Sequence, residues 1–302
     1  MNNKNTIALY RPGALGDIIM TLNCCKKLKQ QYSDIHYFCH ISYVDILREF
    51  LINNEITKEV YDLSKFQASD YQNWIRLIGY PIQEGYPSKP MRKHLVEYFF
   101  DELKLDFSFN DLELTTPQIP NKIKNKNCPY YITIQTNTGW SIYKEWWGWQ
   151  LLADKIKKER SDIEIYQIGG AKDKKIENID GYFLGDSFET NLAAQAWAQA
   201  HLGVDSVFNH TSNIFWLNKN QKTKSIILFG STQASASGYP HNINISLNLE
   251  CQPCFKENPW ISKASNGICE NPPNQTYEAP KHECMAKISV EQVYDALIQK
   301  LK

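Results

Sequence analysis

The sequence predicts an α/β protein of two domains, each built on a parallel sheet. Three observations carry that expectation. Short apolar runs alternate with stretches of helical periodicity, a proline-bounded polar break interrupts the alternation, and 302 residues with 42% hydrophobic content can fill two ordinary cores.

Residues 6–11 read as a buried strand, Ile18, Leu22, Cys25 and Leu28 recur at helical spacing, and residues 35–41 return to strand character. This is a strand–helix–strand unit. From Asp62 to Phe109 the chain is aromatic-rich and less regular, with Trp74, Tyr80, Tyr86, Tyr98, Phe99 and Phe100 as candidates for core or acceptor cleft. Pro117–Pro129 is polar, charged and bounded by prolines, and reads as a solvated linker. The alternation then resumes, with strands at 130–135, 163–168, 202–205 and 225–229 and helices near 147–158 and 191–200. Ser289 and Gln292 form a capping box ahead of a helix whose stripe is Val290, Val293, Leu297 and Leu301.

Lys plus Arg equals Asp plus Glu at 33 each, so no net field recruits nucleic acid. No apolar run approaches the roughly 20 residues of a membrane span, and the N-terminus lacks the pattern of a secretory signal; the expectation is a cytoplasmic protein, compatible with peripheral membrane association. Eight cysteines in this length do not make a disulfide scaffold.

Ligands of open parallel sheets bind beyond the carboxyl ends of the strands, which directs attention to the residues after each strand. Five such turns carry chemistry: Gly13-Ala14-Leu15-Gly16-Asp17; Thr136-Asn137-Thr138-Gly139 with Lys144 and Trp146; Gly169 to Asp173; Asp205-Ser206 with Asn209-His210; and Gly230 to Gln233. Asp17 at a strand-to-helix corner is a candidate general base, with a helix cap as the alternative. Lys144, read by itself, is a surface lysine beside Trp146, Trp147 and Trp149. Asp205, Ser206 and His210 frame a helix start whose N–H groups suit a diphosphate.

Taken in this order, the Gly13–Asp17 corner, Lys144-x-Trp146, Val204-Asp205-Ser206…His210 and Leu228–Thr232 resemble the heptosyltransferase-like glycosyltransferases of family 9. The resemblance covers nearly the whole chain. It implies a GT-B fold, two Rossmann-like domains with parallel sheets facing across a cleft: residues 1–120 for the acceptor, and 128–302 for the nucleotide sugar, with a Cys-rich segment at 251–284 and a terminal helix. It further implies inverting transfer of a sugar, heptose or related, from a nucleotide diphosphate donor such as ADP-heptose to a hydroxyl on a glycan, a lipid-linked lipopolysaccharide core or a protein. Asp17 matches the base, with Gly13, Ala14, Leu15 and Gly16 as the acceptor-side loop. Thr136, Thr138, Lys144, Asp173, Asp205, Ser206 and His210 fall at donor-binding positions. The family's glycine after the Asp-Ser pair is replaced by Val207 and Phe208, which leaves the sugar open between heptose and others. Competing functions are a non-catalytic binding module of the same fold and a dinucleotide oxidoreductase; the first turn lacks G-x-G-x-x-G, which speaks against the latter.

Cys251, Cys254, Cys269 and Cys284 stand in a C-x2-C-x14-C-x14-C pattern within a segment of little apolar content. They read either as a four-thiolate structural Zn or Fe site or as free thiols. Catalysis itself needs no cofactor in this reading. Cys24, Cys25, Cys39 and Cys128 read as core.

Overall fold

The computed structural model describes residues 5–85, 89, 91–110, 112–123, 130–138, 144–217, 224–253 and 282–302. The chain divides into two compact units, one of residues 1–81, 93–115 and 214–220, the other of 82–92, 116–213 and 221–302.

In the first unit, β1 (Thr6–Tyr10), α1 (Leu15–Leu28), β2 (Asp34–Cys39), α2 (Ile41–Asn53), β3 (Glu59–Asp62), β4 (Asn73–Arg76), α3 (Leu95–Glu102) and β5 (Glu113–Leu114) follow one another. The main sheet is wholly parallel in the order β3-β2-β1-β4. The strand expected over 35–41 stops at Cys39, because His40, still extended, serves as the cap of α2, its Nδ1 accepting the Ser42 N–H at 3.2 Å. Ile41 therefore opens a helix. Cys24, Cys25 and Cys39 are buried as expected, while Cys128 lies outside the described residues.

The second unit holds β6 (Tyr130–Ile134), α4 (Trp149–Glu159), β7 (Ile163–Gly169), β8 (Gly181–Leu184), α5 (Phe188–Trp197), β9 (Ala200–Val204) and α6 (Val207–Thr211). β10 (Phe215–Trp216) belongs to the first unit and pairs there with β5. Then come β11 (Lys224–Phe229), α7 (Ala234–Ser237), β12 (Ile243–Ser246), α8 (Glu283–Ala286) and α9 (Val290–Leu301). The sheet is again all parallel, β12-β11-β9-β6-β7-β8, the Rossmann order 3-2-1-4-5-6 counted within the unit. The first unit's 3-2-1-4 is the start of the same pattern. In both, the strand order reverses beside the unit's first strand, β1 or β6.

The helix expected near 191–200 ends at Trp197 and β9 begins at Ala200; Ala198 is already extended, the parallel ladder overriding alanine's helix preference. The expected solvated linker departs in the same way. Ile123 is buried against Tyr131, Tyr166 and Phe183, Ile119 packs on that cluster, and Trp197 donates its indole N–H to the Pro117 carbonyl at 2.6 Å. Two isoleucines four apart outweigh the polar composition around them. The C-terminal helix has the expected cap: Ser289 Oγ accepts from Gln292 N at 3.1 Å, and Gln292 Oε1 accepts from Ser289 N at 2.9 Å. Its stripe packs with Trp146, Trp149, Leu152 and Ile156.

His201, on the central strand β9, is fully buried; its Nδ1 shares a hydrogen with Thr133 Oγ1 at 3.0 Å, and burial pushes its pKa down to about 3. The unfolded chain takes up a proton near pH 6.5 that the folded chain refuses until about pH 3, so this site's stability is full above 6.5 and falls on acidification. Between pH 7.5 and 4.5 that is a loss of roughly 2–3 kcal/mol. Urea midpoints should fall accordingly in the wild type and markedly less in His201→Gln; parallel curves would show that His201 does not stay neutral in the fold.

Candidate functional site

Chemistry-bearing side chains gather at the carboxyl end of each sheet, where its strand order reverses. In the first unit this lies between β1 and β4. Asp17 sits in the first turn of α1, where one carboxylate oxygen accepts the Ala14 N–H at 2.8 Å. Capping is therefore realised, from the third helical position back to the cap rather than from the cap position itself. Gly13 has φ 132°, and a Cβ there would stand 2.6 Å from the same oxygen, so the corner closes only with glycine.

The other Asp17 oxygen faces Tyr80, which the sequence offered only among the aromatic candidates for core or acceptor cleft, and Arg11, which sequence reasoning missed. Tyr80, just past β4, donates its hydroxyl to it. Arg11, the first residue after β1, is fully buried and places its guanidinium 3.7 Å away. Arg11 is fixed by the Leu77 and Ile78 carbonyls at 3.1 and 3.2 Å and by the Tyr80 hydroxyl at 3.0 Å, against the rings of Tyr80 and Phe99. The guanidinium spends Nη1 on two carbonyls and Nη2 on a hydroxyl, all uncharged acceptors, and Asp17 supplies its counter-charge. The carboxylate remains about a quarter exposed, at 23%. It is thus oriented from behind and open to solvent at its tip, a geometry suited to accepting a proton from an incoming hydroxyl.

In the second unit the reversal lies between β6 and β9. Lys144 donates to the Asp205 carboxylate at 2.8 Å and to the Asp205 carbonyl at 2.9 Å. Thr232 donates to the same carboxylate oxygen at 2.6 Å, while Ser237 and the Asn209 amide donate to the other at 3.1 and 3.3 Å. All four acceptor directions of Asp205 are filled within the protein. Burial pushes this carboxyl up, but the charges of Lys144 and His210 and the hydrogen bonds of Lys144 and Thr232 more than offset it, and the group is held below the usual carboxylate range. Lys144 in turn keeps one ammonium hydrogen beyond the two given to Asp205. The tryptophans that follow are anchored on the C-terminal segment: Trp146 and Trp147 donate to the Ile288 and Ala286 carbonyls, each at 3.0 Å.

Ser206 donates to Gln135 Oε1 at 3.0 Å and caps α6 through the Phe208 N–H at 3.3 Å. His210 is buried with its Nδ1 3.0 Å from the Tyr239 hydroxyl. Val207, at the position where the resemblance led to an expectation of glycine, packs against the cluster of Tyr131, Tyr166 and Phe183, and Phe208 is part of it.

Asp173 repeats the geometry of Asp17. It accepts the Gly170 N–H at 3.0 Å, and Gly169, at φ 149°, could carry no side chain without striking its carboxylate. Burial pushes this carboxyl up, opposed by the Gly170 N–H and by Asn137, which donates at 3.2 Å. Thr136, between β6 and this corner, accepts from Gln167 at 3.3 Å, and Thr138 is half-buried beyond it. Thr136, Asn137 and Asp173 thus share one edge of the second sheet with Lys144 and Asp205.

Of the cysteine pattern, Cys251 is half-buried and Cys284 is buried among Met285, Ile288 and Val293, whereas Cys254 and Cys269 lie outside the described residues. Among the described residues no group of three or more His, Cys, Asp or Glu is arranged to hold a metal, and no helix is long and apolar enough to cross a membrane.

No family model and no curated protein matches the sequence. Solved structures do match the fold. The iron-containing dodecameric glycosyltransferase TibC of enterotoxigenic Escherichia coli superposes with TM-score 0.67 at 13% identity, over 99% of this chain and 77% of that one. The ADP-heptose LPS heptosyltransferase II of E. coli gives 0.64 at 12%, over 100% and 98%. A family 9 glycosyltransferase of Veillonella parvula gives 0.64 at 13%, over the same shares. The chain has the heptosyltransferase-like, family 9 glycosyltransferase fold.

Proposed function

We propose that the protein is an inverting glycosyltransferase that moves a sugar, heptose or a relative, from a nucleoside diphosphate onto an acceptor hydroxyl. One observation carries the reading: a fold shared with glycosyltransferases presents a back-supported carboxylate at one strand reversal and an anchored ammonium at the other. ADP is the proposed nucleotide, after the donor in the name of the E. coli heptosyltransferase II.

The acceptor oxygen attacks the anomeric carbon as the bond from that carbon to the diphosphate breaks. A single displacement inverts the centre. The acceptor's proton passes to Asp17, and the electron pair of the broken bond leaves on the diphosphate, whose growing charge Lys144 offsets. Asp205 acts by holding Lys144, and Asp173 with Asn137 offers acceptors and donors to the ribose hydroxyls. Thr136, Thr138, Ser206 and His210 complete the donor side. A structural metal on Cys251, Cys254, Cys269 and Cys284 stays a proposal of the sequence pattern alone, and no step passes through it.

A thermal-shift panel of nucleoside diphosphates and their sugars tests the reading. ADP and ADP-sugars should raise the melting temperature by several degrees at millimolar ligand, about 2.7 kcal/mol at one hundred times Kd. A flat response to every nucleotide would defeat the proposal and favour a non-catalytic module of the same fold.

A further inference from the structure

The end of α7 and the connection from it to β12 serve one corner of the second unit, where β9 runs into α6. Ser237 donates its hydroxyl to Asp205 at 3.1 Å and its carbonyl accepts from the Asn209 amide at 2.7 Å, while Asn242 donates to Asn209 Oδ1 at 3.3 Å. Tyr239, between them, takes His210. Its hydroxyl lies 3.0 Å from His210 Nδ1, and the two rings meet edge to face at 77° with centroids 5.8 Å apart. The backbone of Tyr239 is fixed as well. Its carbonyl accepts the Asn242 N–H at 3.1 Å and the Asn244 amide at 3.0 Å, and a Cβ on the preceding Gly238 would stand 2.6 Å from the Ala234 carbonyl oxygen.

Tyr239 is sealed at 1% exposure, whereas His210 keeps 7%, so of the two rings the imidazole is the one that reaches the boundary of the fold. A residue needed there for packing alone would be phenylalanine, because a buried hydroxyl costs free energy unless it is bonded. Burial, and after it the charge of Asp205, pushes the Tyr239 phenol up, so it keeps its hydrogen and has it to give. The Asp205 carboxylate does not compete for the imidazole, since Lys144, Thr232, Ser237 and Asn209 already occupy it. An imidazole that accepts at Nδ1 carries its own hydrogen at Nε2.

We infer that Tyr239 is a positioning residue for His210: its hydroxyl donates to Nδ1, which fixes the plane of the ring and keeps the hydrogen on Nε2, the form that can donate to an oxygen of the donor's diphosphate. The opposite tautomer would turn a lone pair toward an anion. The inference rests on the transferase reading proposed above and gives the donor side a neutral hydrogen-bond donor beside the ammonium of Lys144. It also accounts for the shape of the connection, whose three side chains meet Asp205, Asn209 and His210 in turn and leave none of them to settle its own orientation. Tyr239 itself touches no substrate; it acts through the imidazole.

Nitrogen NMR of the full chain with labelled histidine, the His210 signals identified by their loss in His210→Gln, tests the tautomer without any ligand. At about pH 8, above the ordinary imidazole pKa, Nε2 should be the protonated nitrogen and Nδ1 the bare one. Calorimetry with ADP tests the consequence: Tyr239→Phe should weaken binding roughly five- to ten-fold while the protein stays folded, the worth of one well-placed hydrogen bond. In His210→Gln, whose amide nitrogen donates without a choice of tautomer, adding Tyr239→Phe should change the affinity less than about two-fold. A hydrogen on Nδ1 of the free protein, ADP affinity indifferent to Tyr239→Phe, or a loss of the same size in the His210→Gln background overturns the inference. Should Tyr239→Phe unfold, the wild-type spectrum still decides. Failure of the transferase reading looks different: no ADP binding by the wild type, whatever the tautomer.

Discussion

Asp17→Asn should lower kcat for sugar transfer by roughly 10²–10⁴-fold, with donor affinity and fold intact. Asparagine preserves the shape of the corner, since its carbonyl oxygen can still accept the Ala14 N–H, while it removes both the ability to take a proton and the counter-charge of the buried Arg11. Asp17→Ala is the less clean variant: it loses the same charge and also strips the helix cap, a further loss of about 1 kcal/mol. Tyr80→Phe keeps the carboxylate but frees it to rotate, and a smaller loss in kcat is expected because Arg11 still flanks it. Single-turnover rates with melting temperatures as controls decide the matter. Transfer by Asp17→Asn near the wild-type rate would remove Asp17 from the role of base.

The Asp17 corner was legible because its ingredients are local: a strand, two glycines and an acid within seven residues. Its supports were not. Tyr80 lies 63 residues from Asp17, and it arrives only because the fourth strand docks beside the first instead of beside the third. No periodicity in a region of scattered aromatics announces that order. Arg11 was adjacent in sequence, yet an arginine after a strand is ordinarily a surface residue, and its burial depends on the Leu77 and Ile78 carbonyls that the same strand order delivers. In the second unit the sequence placed Lys144 and Asp205 on one ligand, and the geometry first places them on each other. A reading by position lists residues that face a common edge; it does not say which of them spend their charge on a neighbour. The repeat of Asp17 at Asp173, each accepting the N–H that follows a left-handed glycine, was visible only as two G-x-x-x-D spacings until the backbone angles were known.

That pairing of Lys144 with Asp205 gives its substitution two separable consequences. Lys144→Ala should weaken ADP or ADP-sugar binding by roughly 10–100-fold, the worth of one charge-assisted hydrogen bond to a phosphate. It should also destabilise the fold by about 3–5 kcal/mol at pH 7, because it leaves a buried carboxylate without its cation. The pH dependence distinguishes this loss from a packing defect. With lysine present, Asp205 is held below the usual range, so the pair's contribution is complete above about pH 4, the unfolded value, and is lost only as pH falls further. Without lysine, burial dominates and the carboxyl rises, so the variant's deficit is largest at neutral pH and shrinks toward pH 4 as Asp205 protonates. Lys144→Met with Asp205→Asn should then cost less than the sum of the two single changes, since neither residue is left charged in the interior. Calorimetric donor affinity measured on that double variant isolates the ligand's own need for the lysine. Affinity equal to wild type would make Lys144 the counter-ion of Asp205 alone, and the diphosphate would require another cation.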